Sequence, residues 1–471
     1  MDILSSNAVS ALLCRLDALL QANHSPEQKL VRLEQPLPAT HLLGWLASQR
    51  QGLSKAYWYG KDGDFAIAGL GVAWKYKLSS RTEISQAFGK ARKLLSGLSA
   101  RHAKCLSYFS FSDNPSQVWP EFGFGQIFLP LIEVTQTRKG CSIACHLVLD
   151  SRSPWRERVL QLKGELQQLI WSQKISPLAC PRMGEGSYVP DRVSWSNIMA
   201  SAFQEFTRGL DKVVLSRQAE LPQKGLSPWL LMQSWQHSSA HSYCFAFEGD
   251  PGAVFLGCSP ERLFKRQGNI VQTEALAGTA RRSENIIEEM EIEARLMTDS
   301  KNIHENRLVL NDILSRLTPL CSALESDRSH SVLKLKNLLH LRYLIRGVIK
   351  PDVCDEQLLL ALHPTPAVGG TPRDKAMNFI NDNESYSRGL YAGACGIIGS
   401  DITELNVSIR SALFKPHSIS LYSGAGIVRG SSAESEWREL DNKIATVQGI
   451  LANLQRTLSC EEVDEFSHQA S

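Results

Sequence analysis

Glu436, Glu439 and Lys443 stand at i, i+3 and i+7 near the C-terminus of a 471-residue chain, a spacing that puts two carboxylates and an ammonium on one face of a helix. A carboxylate pair bordering a cleft suits a hard divalent cation, because Mg2+ prefers oxygen ligands and takes only one or two from protein. Glu305, on another helical stretch, could close such a site. The plainer alternative is a solvated face with an i,i+4 salt bridge between Glu439 and Lys443. Three glycine-containing stretches, Leu276-Ala277-Gly278-Thr279, Val368-Gly369-Gly370-Thr371 and Gly424-Ala425-Gly426, adjoin strand-like runs. Their spacing matches no dinucleotide or P-loop fingerprint. Glycine turns let backbone N–H groups approach an anion such as a substrate carboxylate, or they are ordinary turns. Signatures of serine hydrolases, zinc proteases and kinases are missing, and lone histidines such as His304 and His363 read more readily as structural.

The elements that must carry these residues can be read from periodicity. Trp437, Leu440, Ile444, Val447, Leu451 and Leu454 recur at three- and four-residue steps, predicting a helix over about Ser435–Leu458 with the acidic residues beside its apolar stripe. A helical region from Ile286 to Leu317, broken near Asp299-Ser300, carries Glu305. Met199, Phe203, Phe206 and Leu210 predict a helix that ends at Gly209–Asp211, so Lys212 begins the β-branched strand Lys212–Arg217. Phe255–Gly257 and Leu263–Phe264 read as strand pieces joined by Cys258-Ser259-Pro260, which places Glu261 just after a turn. Leu405, Val407 and Ile409 alternate with Asn406, Ser408 and Arg410, predicting a strand with Arg410 on its polar face. Ser418–Ser423 is a second strand running into Gly424. Earlier in the chain, Ser10–Leu20 reads as helix, Phe65–Val72 and Ser142–Leu149 as strands, and Ser172–Val189 as a connection.

Composition narrows the class. The chain is 43% hydrophobic and 21% charged, the profile of a soluble globular protein rather than a disordered or coiled-coil one. Lys plus Arg number 51 against 48 Asp plus Glu, and a dispersed net charge of +3 argues for neither nucleic acid nor a membrane as partner. No apolar run is long enough to span a bilayer, and Asp2 stands where a secretory signal would be basic, so a cytoplasmic location is expected. Eleven cysteines without a C-x-x-C pair are expected to be reduced, buried and apolar in role.

Six stretches taken together resemble the chorismate-utilising enzymes, the group containing isochorismate, salicylate, anthranilate and aminodeoxychorismate synthases. They are Lys212–Arg217, Gly257–Leu263, Leu276–Thr279, His363–Gly370, Arg410-Ser411-Ala412 and Gly424–Val428, in the family's order over roughly residues 200–450. Ala277 occupies the place where aminodeoxychorismate synthases keep a lysine nucleophile, so water is the expected nucleophile and no glutaminase subunit is expected. In the N-terminal part, Leu42–Ala47 and Tyr57-Trp58-Tyr59-Gly60-Lys61-Asp62-Gly63 resemble the menaquinone-type isochorismate synthases. The family implies an α+β fold of two large, mainly antiparallel sheets in a sandwich, with outer helices and a cleft between the sheets. Residues 1–200 are expected to complete one unit with the catalytic region 201–460.

The resemblance also implies roles. Lys212, which alone would read as a strand-end solubilising residue, becomes the general base for water, and Glu261 the general acid for the departing C4 hydroxyl of chorismate. Those roles need a neutral amine and a protonated carboxyl, and burial drives each group toward that form. Glu305 and Glu439 are implied Mg2+ ligands, with Glu436 a further or water-mediated one. Arg410 with Tyr391 is expected to hold the enolpyruvyl carboxylate. Gly278, Thr279, Gly424, Gly426, Lys443 and His363 are implied further substrate contacts. Asn306 departs from the histidine that many ammonia-using members carry after the metal glutamate, and Asn302 replaces an acid found in some salicylate-forming relatives. The resulting expectation is a Mg2+-dependent isochorismate synthase for menaquinone synthesis. Its rivals are a siderophore-pathway isochorismate or salicylate synthase and a non-catalytic chorismate-binding homologue.

Overall fold

Strand Gly125–Thr137 is the junction of the architecture. In the computed structural model, which describes residues 3–21, 29–97, 102–113, 119–149, 154–172, 174–175, 182–249 and 252–469, it pairs with three different strands. Along one edge it meets Phe65–Leu78, and along the other it meets first Lys104–Phe109 and then Gly140–Leu149. Two antiparallel sheets therefore diverge from it.

The first sheet runs from Phe65–Leu78 through Lys55–Tyr59, Tyr243–Glu248, Val254–Ser259, Ser411–Lys415 and Ser418–Val428 to Lys212–Lys224. The second runs from Lys104–Phe109 through Ala394–Gly399, Ile402–Val407, Arg262–Gln267 and Ile270–Arg281 to Leu338–Ile349. All these pairings are antiparallel, as expected for the sandwich. Strands of residues 1–200 supply ladder partners in both sheets, Tyr57 opposite Ala246 and Leu106 opposite Ile397.

Period-two alternation sorts the first sheet's side chains onto its two faces. Trp58 and Phe245 join a core with Phe264 and Leu405 of the second sheet, the filling of the sandwich. Their neighbours Tyr57, Cys244 and Ala246 join a second core with apolar residues of helices Ile3–Gln21, Leu42–Ser48, Trp155–Gln167 and Pro228–His237. The final helix, Ala433–Gln469, shares its stripe between the two: Trp437 and Leu440 pack in the first core, Ile444, Val447 and Leu451 in the second.

Several expectations meet the structure directly. Asp299 ends helix Ile286–Thr298 and caps helix Ser300–Leu317, its carboxylate accepting the Asn302 N–H at 2.8 Å. Helix Arg192–Phe206 stops before Gly209, and strand Lys212–Lys224 begins at the lysine. Two readings are corrected. Strand Ile402–Val407 ends three residues before Arg410, which lies in the left-handed region (φ 51°) of the turn into Ser411–Lys415 and so is not on a strand face. Of the cysteines, Cys14 is exposed and Cys354 half-buried, while seven others are buried; Cys180 and Cys460, and most of the Ser172–Cys180 part of the expected connection, lie outside the described residues or side chains.

Candidate active site

Glu261 occupies the turn between strands Val254–Ser259 and Arg262–Gln267, where the chain crosses from the first sheet to the second. Its backbone is held on both sides: the Glu261 N–H donates to Ser259 Oγ at 3.2 Å, and its carbonyl accepts from Val407 N at 3.1 Å. Glu261 as a whole is 3% exposed, and Thr365 Oγ1 donates to its carboxyl at 3.4 Å. Burial and the negative charge of Glu274 push its pKa up to about 8, against the weaker opposing influence of Lys212. At neutral pH this is a carboxylic acid with a proton to give.

The cavity that Glu261 faces encloses about 650 Å³ of atom-free space, its mouth included. It is lined from the two sheets, helices Ser300–Leu317 and Ala433–Gln469 and two turns by Gly278, Thr279, Glu305, Tyr391, Arg410, Gly424, Gly426, Glu439 and Lys443, all named by the sequence reading. A β-bulge at Gly278 (φ 79°) lets consecutive residues Ala277, Gly278 and Thr279 all border it. Tyr391 stacks on Tyr422 with ring centroids 5.1 Å apart, and burial holds its hydroxyl well above the ordinary range, so it remains an O–H donor. Arg410 is half-buried at the surface of the cavity, with its pKa drawn down to about 10 by desolvation against the pull of Tyr391 and Glu439, and it stays a cation. Tyr422 Oη and Ser423 Oγ, both on the wall, are buried without a hydrogen-bond partner among the described residues, as in a site that expects a polar ligand.

Lys212 lies just behind this wall, fully buried, with Nζ 3.0 Å from Glu305 Oε1 but out of hydrogen-bonding geometry with the described groups. Gly426 is what lets the two meet. A Cβ there would fall 2.2 Å from Glu305 Oε1 and 3.1 Å from Lys212 Cε, so any side chain at this position must push the Glu305 carboxylate aside.

The three carboxylates of the expected metal site are each matched to a lysine: Glu305 to Lys212, Glu439 to Lys443 at 2.7 Å and Glu436 to Lys301 at 2.6 Å. Among the described residues no three His, Cys, Asp or Glu side chains already form a metal cage. Their mutual proximity shows in Lys301, whose pKa burial would lower but which Glu436, Glu305 and Glu439 together raise. Glu436 is 1% exposed and does not border the cavity; burial and then Glu439's charge raise its carboxyl. An all-oxygen donor set with two carboxylates, Glu305 and Glu439, on the cavity wall fits a hard divalent cation that completes its shell with substrate and water oxygens.

His363 is not brought to the cavity. It is buried at an edge-on contact with Phe111, its Nε2 3.4 Å from the Ser110 carbonyl, and burial with Arg81 and Arg373 nearby lowers its pKa to about 3. The histidine that does line the cavity, His340, was not named from the sequence. It sits opposite Thr279 in the ladder, its Nδ1 3.1 Å from Thr279 Oγ1 and its Nε2 3.4 Å from Arg410 Nη2, and burial and the Arg410 charge keep it neutral. Only register joins these residues, 61 positions apart, so no local pattern announces the contact.

Comparison with known proteins shows the family. A family model described as "Chorismate binding enzyme" matches residues 17–452. The isochorismate synthase MenF of Escherichia coli (strain K12) is 33% identical over 431 residues, 91% of this chain and 94% of the relative, and MenF of Haemophilus influenzae is 29% identical over 452 residues, 95% and 97%. The solved structure of MenF, the menaquinone-specific isochorismate synthase from Escherichia coli, superposes with a TM-score of 0.82 at 30% identity, covering 94% of this chain and 99% of that one. The Bacillus anthracis DhbC structure, at 22% identity and a TM-score of 0.70, shares the fold over 87% of this chain. The chain belongs to the chorismate binding enzyme family.

Proposed function

We propose that this chain is a Mg2+-dependent isochorismate synthase serving menaquinone synthesis, acting in the cytoplasm on chorismate without a glutaminase subunit. The observation that carries the reading is Glu261, a buried acid still protonated near neutral pH at the wall of a cavity whose other groups suit an anionic ring. Similarity to MenF along nearly the whole length favours the menaquinone branch over the siderophore branch.

In this reading the Arg410 guanidinium and the Tyr391 hydroxyl receive the enolpyruvyl carboxylate, the fork of one and the donor of the other fixing the ring's orientation. Lys212 takes a proton from the water that adds at C2. Glu261 gives its proton to the C4 oxygen, which leaves as water while the double bonds shift, so one water enters and one departs. Glu305 and Glu439 would hold Mg2+, which when bound supplies charge neutralisation for the ring carboxylate. Neutral His340 keeps Arg410 and Thr279 in place without adding positive charge beside the site. Ala277, on the wall, offers no nucleophilic side chain at that position to capture the ring.

Incubation with chorismate and Mg2+ followed by product separation tests the proposal. Isochorismate without pyruvate is expected; pyruvate released without an added lyase would move the assignment to a salicylate synthase, and no conversion would leave a chorismate-binding homologue.

A further inference from the structure

The Gly60-Lys61-Asp62-Gly63 tip joins strands Lys55–Tyr59 and Phe65–Leu78, and the reaction proposed above gives it no task. It reaches across to the turn that carries Glu261. Lys61 Nζ donates to the Pro260 carbonyl at 2.6 Å, and Asp62 Oδ2 accepts from Arg262 Nη2 at 2.7 Å. The residues immediately before and after Glu261 are thus both held by one hairpin tip, about 200 positions away in the chain.

Glu274 ties the grip together. Its Oε1 accepts from Lys61 Nζ at 2.5 Å and from the Arg262 backbone N–H at 2.8 Å, and the Lys61 and Glu274 side chains are 8% and 2% exposed. A lysine this enclosed is costly to bury for solubility alone, and its donors are directed at a carbonyl and a carboxylate that both adjoin the turn.

We propose that Lys61, assisted by Asp62 and Glu274, is a positioning residue for the reaction: the hairpin tip fixes the Pro260–Arg262 turn and so aims the Glu261 carboxyl into the cavity. This rests on the reading of Glu261 as the acid. It assigns residues 1–200 a part in catalysis without contact with substrate.

The test pairs kinetics with hydrogen exchange on the full chain. Because Lys61→Met alone leaves Glu274 buried without its counter-ion, the informative variant is Lys61→Met/Glu274→Gln, in which the amide oxygen introduced at position 274 can still accept the Arg262 N–H while the bond to Pro260 is lost. Relative to Glu274→Gln alone, which by itself removes a charge that raises the Glu261 pKa, misplacement of one reacting group by a fraction of an ångström predicts a kcat lower by about tenfold to a hundredfold with KM changed by less than about threefold. Amide exchange of the segment 257–264 should be faster in the double variant, and Lys61→Arg should recover most of both effects. Unchanged exchange overturns the proposal, as does faster exchange with wild-type kcat. If the wild-type chain does not convert chorismate, the functional reading fails, and exchange in that segment still decides whether the tip holds the turn.

Discussion

Lys212 Nζ and Glu305 Oε1 lie 3.0 Å apart, so the residue proposed as base, just behind the cavity wall, pairs with a residue on the wall proposed to hold the cation. Each therefore supports the other's position, and removing either has two consequences. Lys212→Ala should reduce turnover by at least about a thousandfold, the scale of a lost general base together with a displaced carboxylate. It should also lower unfolding stability by on the order of 2 kcal/mol, because a fully buried side chain is removed and its partner Glu305 is left without it. Single-turnover kinetics and urea unfolding check the two parts separately.

The protonated state of Glu261 sets the alkaline limb of the reaction. Its pKa of about 8 predicts that kcat/KM for chorismate is retained below that pH and falls as pH rises through it, as the acid loses its proton. The same shift acts on stability. From its ordinary value of 4.5 up to about 8, the unfolded carboxyl is ionised while the folded one keeps its proton, so stability declines across this window. Glu261→Gln should then be inactive yet more stable than wild type above about pH 8, by on the order of a few kcal/mol, with no difference near pH 4. Thermal unfolding at the two pH values measures it.

Gly426 predicts a defect in cation binding. With a Cβ 2.2 Å from Glu305 Oε1, Gly426→Ala must displace that carboxylate. Affinity for Mg2+ in the presence of chorismate should fall by about tenfold or more, as when a metal ligand loses its alignment. Isothermal titration with Mg2+ gives the number, and unchanged affinity would remove Glu305 from the ligand set.

Asn306, beside Glu305, carries the seat of that ligand. Its Nδ2 faces the carbonyls of Ala275, Ala277 and Leu341 at 3.3, 3.1 and 3.0 Å, joining helix Ser300–Leu317 to two strands of the second sheet. Asn306→Leu leaves those buried acceptors short of a donor and should cost about 1–3 kcal/mol in denaturant unfolding.

How far the site could be read from the sequence followed the range of the interactions involved. Helical periodicity placed Glu436, Glu439 and Lys443 on the last helix, of which Glu439 and Lys443 reach the cavity, and turn chemistry placed Glu261, because both depend on neighbours within a few residues. Arg410 was misplaced because alternation continued through Ile409 while the hydrogen-bonded strand stopped at Val407 and the backbone turned left-handed. His340 and Glu274 were invisible because only sheet register brings them to Thr279 and to the Glu261 turn. Lys61 stood in a segment noted for resemblance, yet its partners lie on strands that no local pattern connects to it.

The central claim, a carboxylic acid kept protonated in an enclosed cavity, is open to direct measurement. Glutamate side chains labelled with 13C at Cδ, with Glu261→Gln to assign the resonance, report ionisation by chemical shift. The Glu261 signal should be that of a protonated carboxyl at pH 6.5 and should titrate near pH 8, in step with the loss of kcat/KM. Titration in the ordinary carboxylate range, about pH 4 to 5, would contradict the account.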